Sequence, residues 1–125
     1  MSKIDIIIPT YNRVDYLKMA IDSVLNQTYK NFNLYILDNC STDNTAKLME
    51  SYSSNELTYI INETNLGFIG NLNKALQTGT SDLFQIFHDD DVLEPNFLES
   101  VVTFFDKFKD TAFVHTGAYI INEKN

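Results

Sequence analysis

The stretch FHDDDVLEP, from Phe87 to Pro95, sets Asp89, Asp90 and Asp91 in a row directly after a run of apolar residues. Aspartate is a poor strand former and the adjacent charges repel one another, so this is an unfavourable way to end a buried strand. Two readings account for it. Neighbouring strand-end carboxylates supply oxygen ligands for Mg2+ or Mn2+, which commonly take one or two of them and keep coordination positions open for a substrate diphosphate. Alternatively, one carboxylate caps the helix that opens near Pro95. A cap uses a single acidic residue, so Asp89 and Asp90 are read as metal or ligand residues, and Asp91 stays open between the roles. His88 is open too, as a further ligand or as a hydrogen-bond partner.

Other polar clusters sit at corresponding places: PTYNR after the first apolar run, DNCSTD after the second and NETNLG after the third. Thr42 and Asp43 are well explained as helix-capping and dipole residues, whereas Asp38 and Asn39 are not needed for that. Tyr11 and Arg13 could be surface residues at a helix start. A basic residue there opposes the helix dipole, however, which points to a ligand. Cys40, with no nearby His or Lys to activate it, reads as an inert turn residue.

These clusters need elements to hold them. Runs such as IDIIIP, FNLYILD, LTYIIN and LFQIFH read as buried strands. Between them, Leu17, Ala20, Ile21, Val24 and Leu25 recur at helical spacing. STDNTAKLMESY reads as a helix capped by Ser41 or Thr42, and FIGNLNKALQTG as one closed by a left-handed Gly79. A fourth helix opens at Pro95 and runs on Phe97, Leu98, Val101, Val102 and Phe105. A last strand is expected over about 112–120. Alternation of strands and helices with near-continuous apolar strands predicts an α/β fold, a mainly parallel sheet covered on both faces. Ligands of such sheets bind beyond the carboxyl ends of the strands, which is where the polar clusters fall.

Composition narrows the partners. The chain has 125 residues, enough for one domain with a real core, and is 44% hydrophobic and 21% charged. A net charge of −8 argues against nucleic acid. An anionic ligand would need a metal or local amides against that field. The single cysteine excludes an internal disulfide and fits a reducing cytosol. No run approaches the ~20 apolar residues of a membrane span. A soluble, cytoplasmic protein is expected, with the inner face of the membrane as the site of action of a longer parent chain.

Taken in order, IIIPTYNR, LKMAIDSVLNQTY, ILDNCSTDNT, NLGFIGNLNKAL and FHDDDVLEPNFLE resemble the N-terminal, nucleotide-binding half of a family 2 glycosyltransferase. The resemblance runs from Ile4 to about Glu99. It implies a Rossmann-like, three-layer A-type transferase fold that binds a nucleotide-diphosphate sugar with Mn2+ or Mg2+. Such enzymes transfer the sugar, here expected with inversion, to a saccharide or lipid-linked acceptor in cell-surface polysaccharide or glycoconjugate synthesis. Residue by residue, it sets Pro9, Thr10, Tyr11 and Arg13 against the nucleoside and Asp38 with Asn39 at the base. Asn65, Gly67 and Asn71 fall on the nucleotide side as well. Counting back from Pro95, Asp89 takes the ribose-side place and Asp90 the metal place, with Asp91 completing the acidic motif.

The sequence departs from the family pattern in three places. Asp38, Asn39, Cys40 and Ser41 stand where Asp-Asp-Gly-Ser is familiar; Asn39 can still accept from a base imide, without the charge. Asn71, Leu72 and Asn73 stand where Ala-Arg-Asn is frequent, so an arginine contact is missing and uridine is not singled out from thymidine or guanosine. His88 takes the first place of the acidic motif. Family members usually supply the catalytic base from a segment well after the fourth strand. Here Glu94, Glu99, Asp106 and Asp110 read as caps and solvated charges, and Glu123 as part of a fraying tail. The chain is therefore expected to be a nucleotide-binding part whose catalytic base lies beyond residue 125.

Other classes fit less well. A nucleotidyltransferase would bring a Gly-rich basic loop after the first strand, and PTYNRVDYL has no glycine. A receiver-type signalling module would need an acidic pair after the first strand and a lysine at the end of the last. A binding module that keeps the site without catalysis is separated only by assay.

Overall fold

The computed structural model describes residues 1–122 and 124. The elements alternate: β1 (Ile4–Thr10), α1 (Val14–Leu25), β2 (Phe32–Asp38), α2 (Thr45–Met49), β3 (Thr58–Ile61), α3 (Gly67–Ala75), β4 (Leu83–Ile86) and α4 (Phe97–Lys107). The strands form one parallel sheet in the order β3-β2-β1-β4. Because β1 lies inside the sheet, its odd and even side chains meet different layers. Ile4, Ile6 and Ile8 pack with Leu17, Ala20, Ile21 and Val24 of α1, Met49 of α2, and Leu98 and Val102 of α4. Ile7 and Leu37 point the other way, to Ala75 of α3. This is the expected three-layer α/β fold.

Order β3-β2-β1-β4 also fixes the switch point. From β1 the chain first builds outward through β2 and β3, then returns to β1's other edge as β4. The carboxyl ends of β1 and β4 therefore flank a crevice, the place where open α/β sheets bind ligands.

Several local expectations are corrected. No strand forms over 112–120, and Tyr119 and Ile120 are fully exposed or nearly so. A strand needs a ladder partner for its backbone groups, and among the described residues this segment has none. Neither Ser41 nor Thr42 caps α2, which begins later, at Thr45; the carboxylate of Asp43 accepts the Thr45 N–H at 3.0 Å and the Thr45 hydroxyl at 2.6 Å. Pro95 precedes α4, which begins at Phe97, and Pro9 lies within β1 rather than stopping it. Gly79 is not the left-handed glycine; that is Gly67, at φ 73°. Gly79 is required by closeness instead, since a β-carbon there would stand 2.6 Å from an Asp5 carboxylate oxygen. Glu123 lies outside the described residues.

Candidate functional site

Thr10, the last residue of β1, carries the link across the crevice. Its buried hydroxyl donates to Asp89 Oδ2 at 2.8 Å, joining the ends of β1 and β4. Arg13, just before α1, lies over the same pair. Its Nη2 donates to Asp90 Oδ2 at 2.9 Å and its Nη1 stands 3.6 Å from Asp89 Oδ1. The guanidinium also covers the ring of Tyr16, with Cζ 5.2 Å from the ring centre. Burial pushes the Asp89 carboxyl above the usual carboxylate range, with the Thr10 hydroxyl and Arg13 opposing the rise. Arg13 is thus a cation held at a helix start by carboxylates, not by the helix.

A second cluster adjoins the first, because Thr10 pairs with Asp38 in the sheet and its carbonyl accepts the Asn39 N–H at 2.9 Å. Asp38 is buried; its Oδ1 accepts the Ser41 N–H at 2.9 Å and its Oδ2 the Tyr59 hydroxyl at 2.5 Å. Burial and that carboxylate push the Tyr59 hydroxyl well above its ordinary pKa. Asn39 Nδ2 donates to Asn65 Oδ1 at 2.8 Å and to the Gly67 carbonyl at 3.2 Å. Its Oδ1 accepts from the Leu66 N–H at 2.8 Å and from Asn62 Nδ2 at 3.1 Å. Asn62 Nδ2 donates in addition to Asn71 Oδ1 at 2.8 Å, and Asn62 Oδ1 accepts from Lys74 Nζ at 2.6 Å. Asn71 Nδ2 reaches the Leu37 carbonyl at 3.2 Å.

The loops are braced against each other. Asn12, at φ 51°, accepts the Thr42 N–H at 2.7 Å on its side-chain oxygen, and its own N–H donates to Ser41 Oγ at 2.9 Å. Asp43 accepts from Val14 N at the start of α1 as well as from Thr45, so one carboxylate joins two helix starts. Burial alone would raise its pKa; the Thr45 and Val14 hydrogen bonds outweigh it and hold the group below the usual range. Cys40 sits at φ 66°, a left-handed position that costs a residue with a β-carbon. That cost explains why glycine is the more comfortable residue there.

The sequence-expected residues therefore fall into two adjoining groups: Thr10, Arg13, Asp89 and Asp90 in one, Asp38, Asn39, Asn65, Gly67 and Asn71 in the other. Pro9 lies in β1 behind them. Tyr11 is exposed on the rim, and Asp91 is exposed in the turn whose N–H donates to the His88 carbonyl. Among the described residues no three of His, Cys, Asp and Glu converge as a ready-made metal cage. Sequence reasoning placed Asn62 in the NETNLG cluster without singling it out and missed Lys74; the asparagine directly after β3 was the available signal.

Residues 5–125 match the model of the family described as "Glycosyl transferase family 2". The chain belongs to that family. It is 32% identical over 123 residues to an uncharacterized glycosyltransferase of Haemophilus influenzae, covering 97% of this chain and 38% of the relative. An uncharacterized glycosyltransferase of Methanocaldococcus jannaschii is 29% identical over 124 residues, covering 96% of this chain and 43% of the relative. This family 2 chain thus spans less than half the length of either. Among solved structures it is similar to S. aureus TarS in complex with UDP, at TM-score 0.78 and 29% identity, covering 86% of this chain and 33% of that one. A mannosyltransferase of Pyrobaculum calidifontis, solved with GDP-Man and Mn2+, shares the fold at TM-score 0.72 and 23% identity, over 82% of this chain and 32% of that one. Glycosyltransferase activity with nucleotide-sugar donors is a property of that family. No helix among the described residues is long and apolar enough to cross a membrane.

Proposed function

We propose that this chain is the donor-binding part of a metal-dependent family 2 glycosyltransferase, and that its crevice takes a nucleotide-diphosphate sugar. The observation that carries the reading is the juncture of Thr10, Arg13, Asp89 and Asp90 at the carboxyl ends of β1 and β4. Tyr11, Asp38 and the Asn39–Asn65–Gly67 wall form the nucleoside side, with Asn71 behind it. UDP is the first nucleotide to test, because the TarS structures at 28–29% identity hold UDP or UDP-GlcNAc.

The donor set fits a hard divalent cation. Asp90 is exposed and has one oxygen on Arg13 and, among the described residues, no hydrogen-bond partner on the other, and Asp89 is its neighbour. Cations of this kind commonly rest on one or two carboxylates plus substrate phosphates and water. Asp90 would be the principal ligand, Asp89 would serve the ribose side, and Asp91 would stand in reserve on the exposed turn. Bound there, the cation would offset charge on the leaving diphosphate. The rest of the reaction is ordinary substitution. The acceptor hydroxyl oxygen attacks the anomeric carbon, its proton passes to a base, and the bond to the diphosphate oxygen breaks with its electron pair leaving on the diphosphate.

Titration calorimetry with UDP, GDP and ADP, each with and without Mn2+, tests this reading. Mn2+-dependent binding of one nucleoside diphosphate is expected, and Asp90→Asn should abolish the Mn2+ dependence without loss of fold. Failure of every nucleotide to bind, or an Asn variant that binds like the parent, would refute it.

A further inference from the structure

The carboxylate proposed to hold the divalent ion, Asp90, already has a side-chain cation on it. Arg13 donates from Nη2 to Asp90 at 2.9 Å, and its other terminal nitrogen stands 3.6 Å from Asp89. No side-chain hydrogen bond caps α1 at this residue, and the positive end of the helix dipole repels it. The carboxylates and the face of Tyr16 are what keep the guanidinium in place. Arg13 is also half exposed, with a planar fork that suits phosphate oxygens as well as it suits carboxylate.

A divalent ion at the ordinary ~2.1 Å from an Asp90 oxygen would face this guanidinium across a single carboxylate. Two cations so close, on a carboxylate that only partly neutralises them, repel strongly. The arrangement becomes favourable when a third, anionic party arrives with the ion. We propose that Arg13 is a positioning residue that latches Asp90 in the free protein and moves onto the donor's diphosphate when the cation takes its place. The inference rests on the donor-binding reading and deepens it: metal and nucleotide bind as a coupled pair, and the metal alone binds weakly. Part of the coupling would come from the ion's own contact with the diphosphate, and the rest arises because the displaced arginine finds a new anionic partner only if the diphosphate is present.

The test is a set of Mn2+ titrations followed by the electron paramagnetic resonance of the free ion. They are run with and without UDP, on the parent chain and on Arg13→Gln. The parent is expected to bind Mn2+ roughly tenfold or more tighter with UDP than without. Arg13→Gln should bind Mn2+ alone roughly tenfold tighter than the parent does, and the gain from UDP should shrink several-fold, to what the ion's own contact with the diphosphate supplies. A plain charge effect has a different signature: removing the guanidinium would tighten Mn2+ by the same factor with and without UDP, leaving the coupling intact. That outcome overturns the latch, as does an unchanged affinity for Mn2+ alone. Should the Gln variant not fold, Arg13→Lys keeps the charge and loses the fork. It should shift both quantities the same way by a smaller factor, and no shift would overturn the proposal. A parent chain that binds Mn2+ but no nucleoside diphosphate would refute the donor reading and the latch with it, whereas a parent chain that binds UDP with Mn2+ while Arg13→Gln keeps the full coupling would overturn the latch alone.

Discussion

Both hydrogens and the oxygen of the Asn39 amide are engaged by the protein, with Asn65, Gly67, Leu66 and Asn62 as partners. Such a hub makes the residue sensitive to charge even though the change is isosteric. Asn39→Asp, which restores the acid of the familiar family pattern, removes the donors and faces a carboxylate toward the oxygens of Asn65 and Gly67. A loss of about 1–3 kcal/mol at neutral pH is expected in urea unfolding, the usual cost of orphaned buried groups. The introduced carboxyl would have its folded pKa raised by those oxygens. Its protonated form, favoured below the unfolded pKa, restores a donor, so the variant recovers stability in acid and loses it as pH rises through the folded pKa. An unchanged urea midpoint at neutral pH would show that the amide is not a hub. The place of Asn39 was legible because it follows a strand end. Its partners were not, since an asparagine there reads alike whether it serves a ligand or Asn62.

Among the elements, helical periodicity located α1 and α4, and apolar runs located the strands, because both patterns are made by one dominant force. Caps and connections were less legible, being decided by single side chains. Asp5 is the plainest case. Within the apolar run of β1 it reads as an interruption, yet it is fully buried and ties the α3–β4 connection to the sheet. It accepts from Thr80 N at 2.7 Å, Ser81 N at 2.9 Å, Ser81 Oγ at 2.9 Å and Asn33 Nδ2 at 2.7 Å. Burial raises its pKa, but these donors outweigh it and hold the carboxyl below the ordinary value. A depressed folded pKa contributes stability that is complete above the unfolded value, near pH ~3.9, and lost as pH falls through the folded one. Asp5→Asn should therefore lower stability at neutral pH by about 1.5–3 kcal/mol and flatten its decline in acid. Denaturant melts of both proteins from pH 7 down to strong acid provide the check. Parallel curves would mean that Asp5 carries no linkage.

At the scale of the whole molecule, the proposed reading gives the described residues the donor and leaves the acceptor's base to be accounted for. The acidic residues after β4 have places of their own: Glu99 accepts from the Thr28 hydroxyl, and Asp106 from Ser2 and Lys109. Those contacts draw the Asp106 carboxyl down to about 2, with the Ser2 hydroxyl the largest influence. A base for the acceptor hydroxyl must instead work near neutral pH and lie across the sugar from the diphosphate. Asp106, drawn so low, does not meet that description, Glu99 is engaged by Thr28, and Glu94 and Asp110 flank α4 on the exposed surface. The expected outcome is a separation of functions in the 125-residue chain. It should bind UDP with Mn2+, yet release UDP from a UDP-sugar no faster when saccharide or lipid-linked acceptors are added. Coupled assay of nucleotide release, with and without an acceptor panel, measures this directly. Acceptor-dependent turnover approaching the ~1–10³ s⁻¹ of ordinary enzymes would place a competent base among these residues and overturn the division.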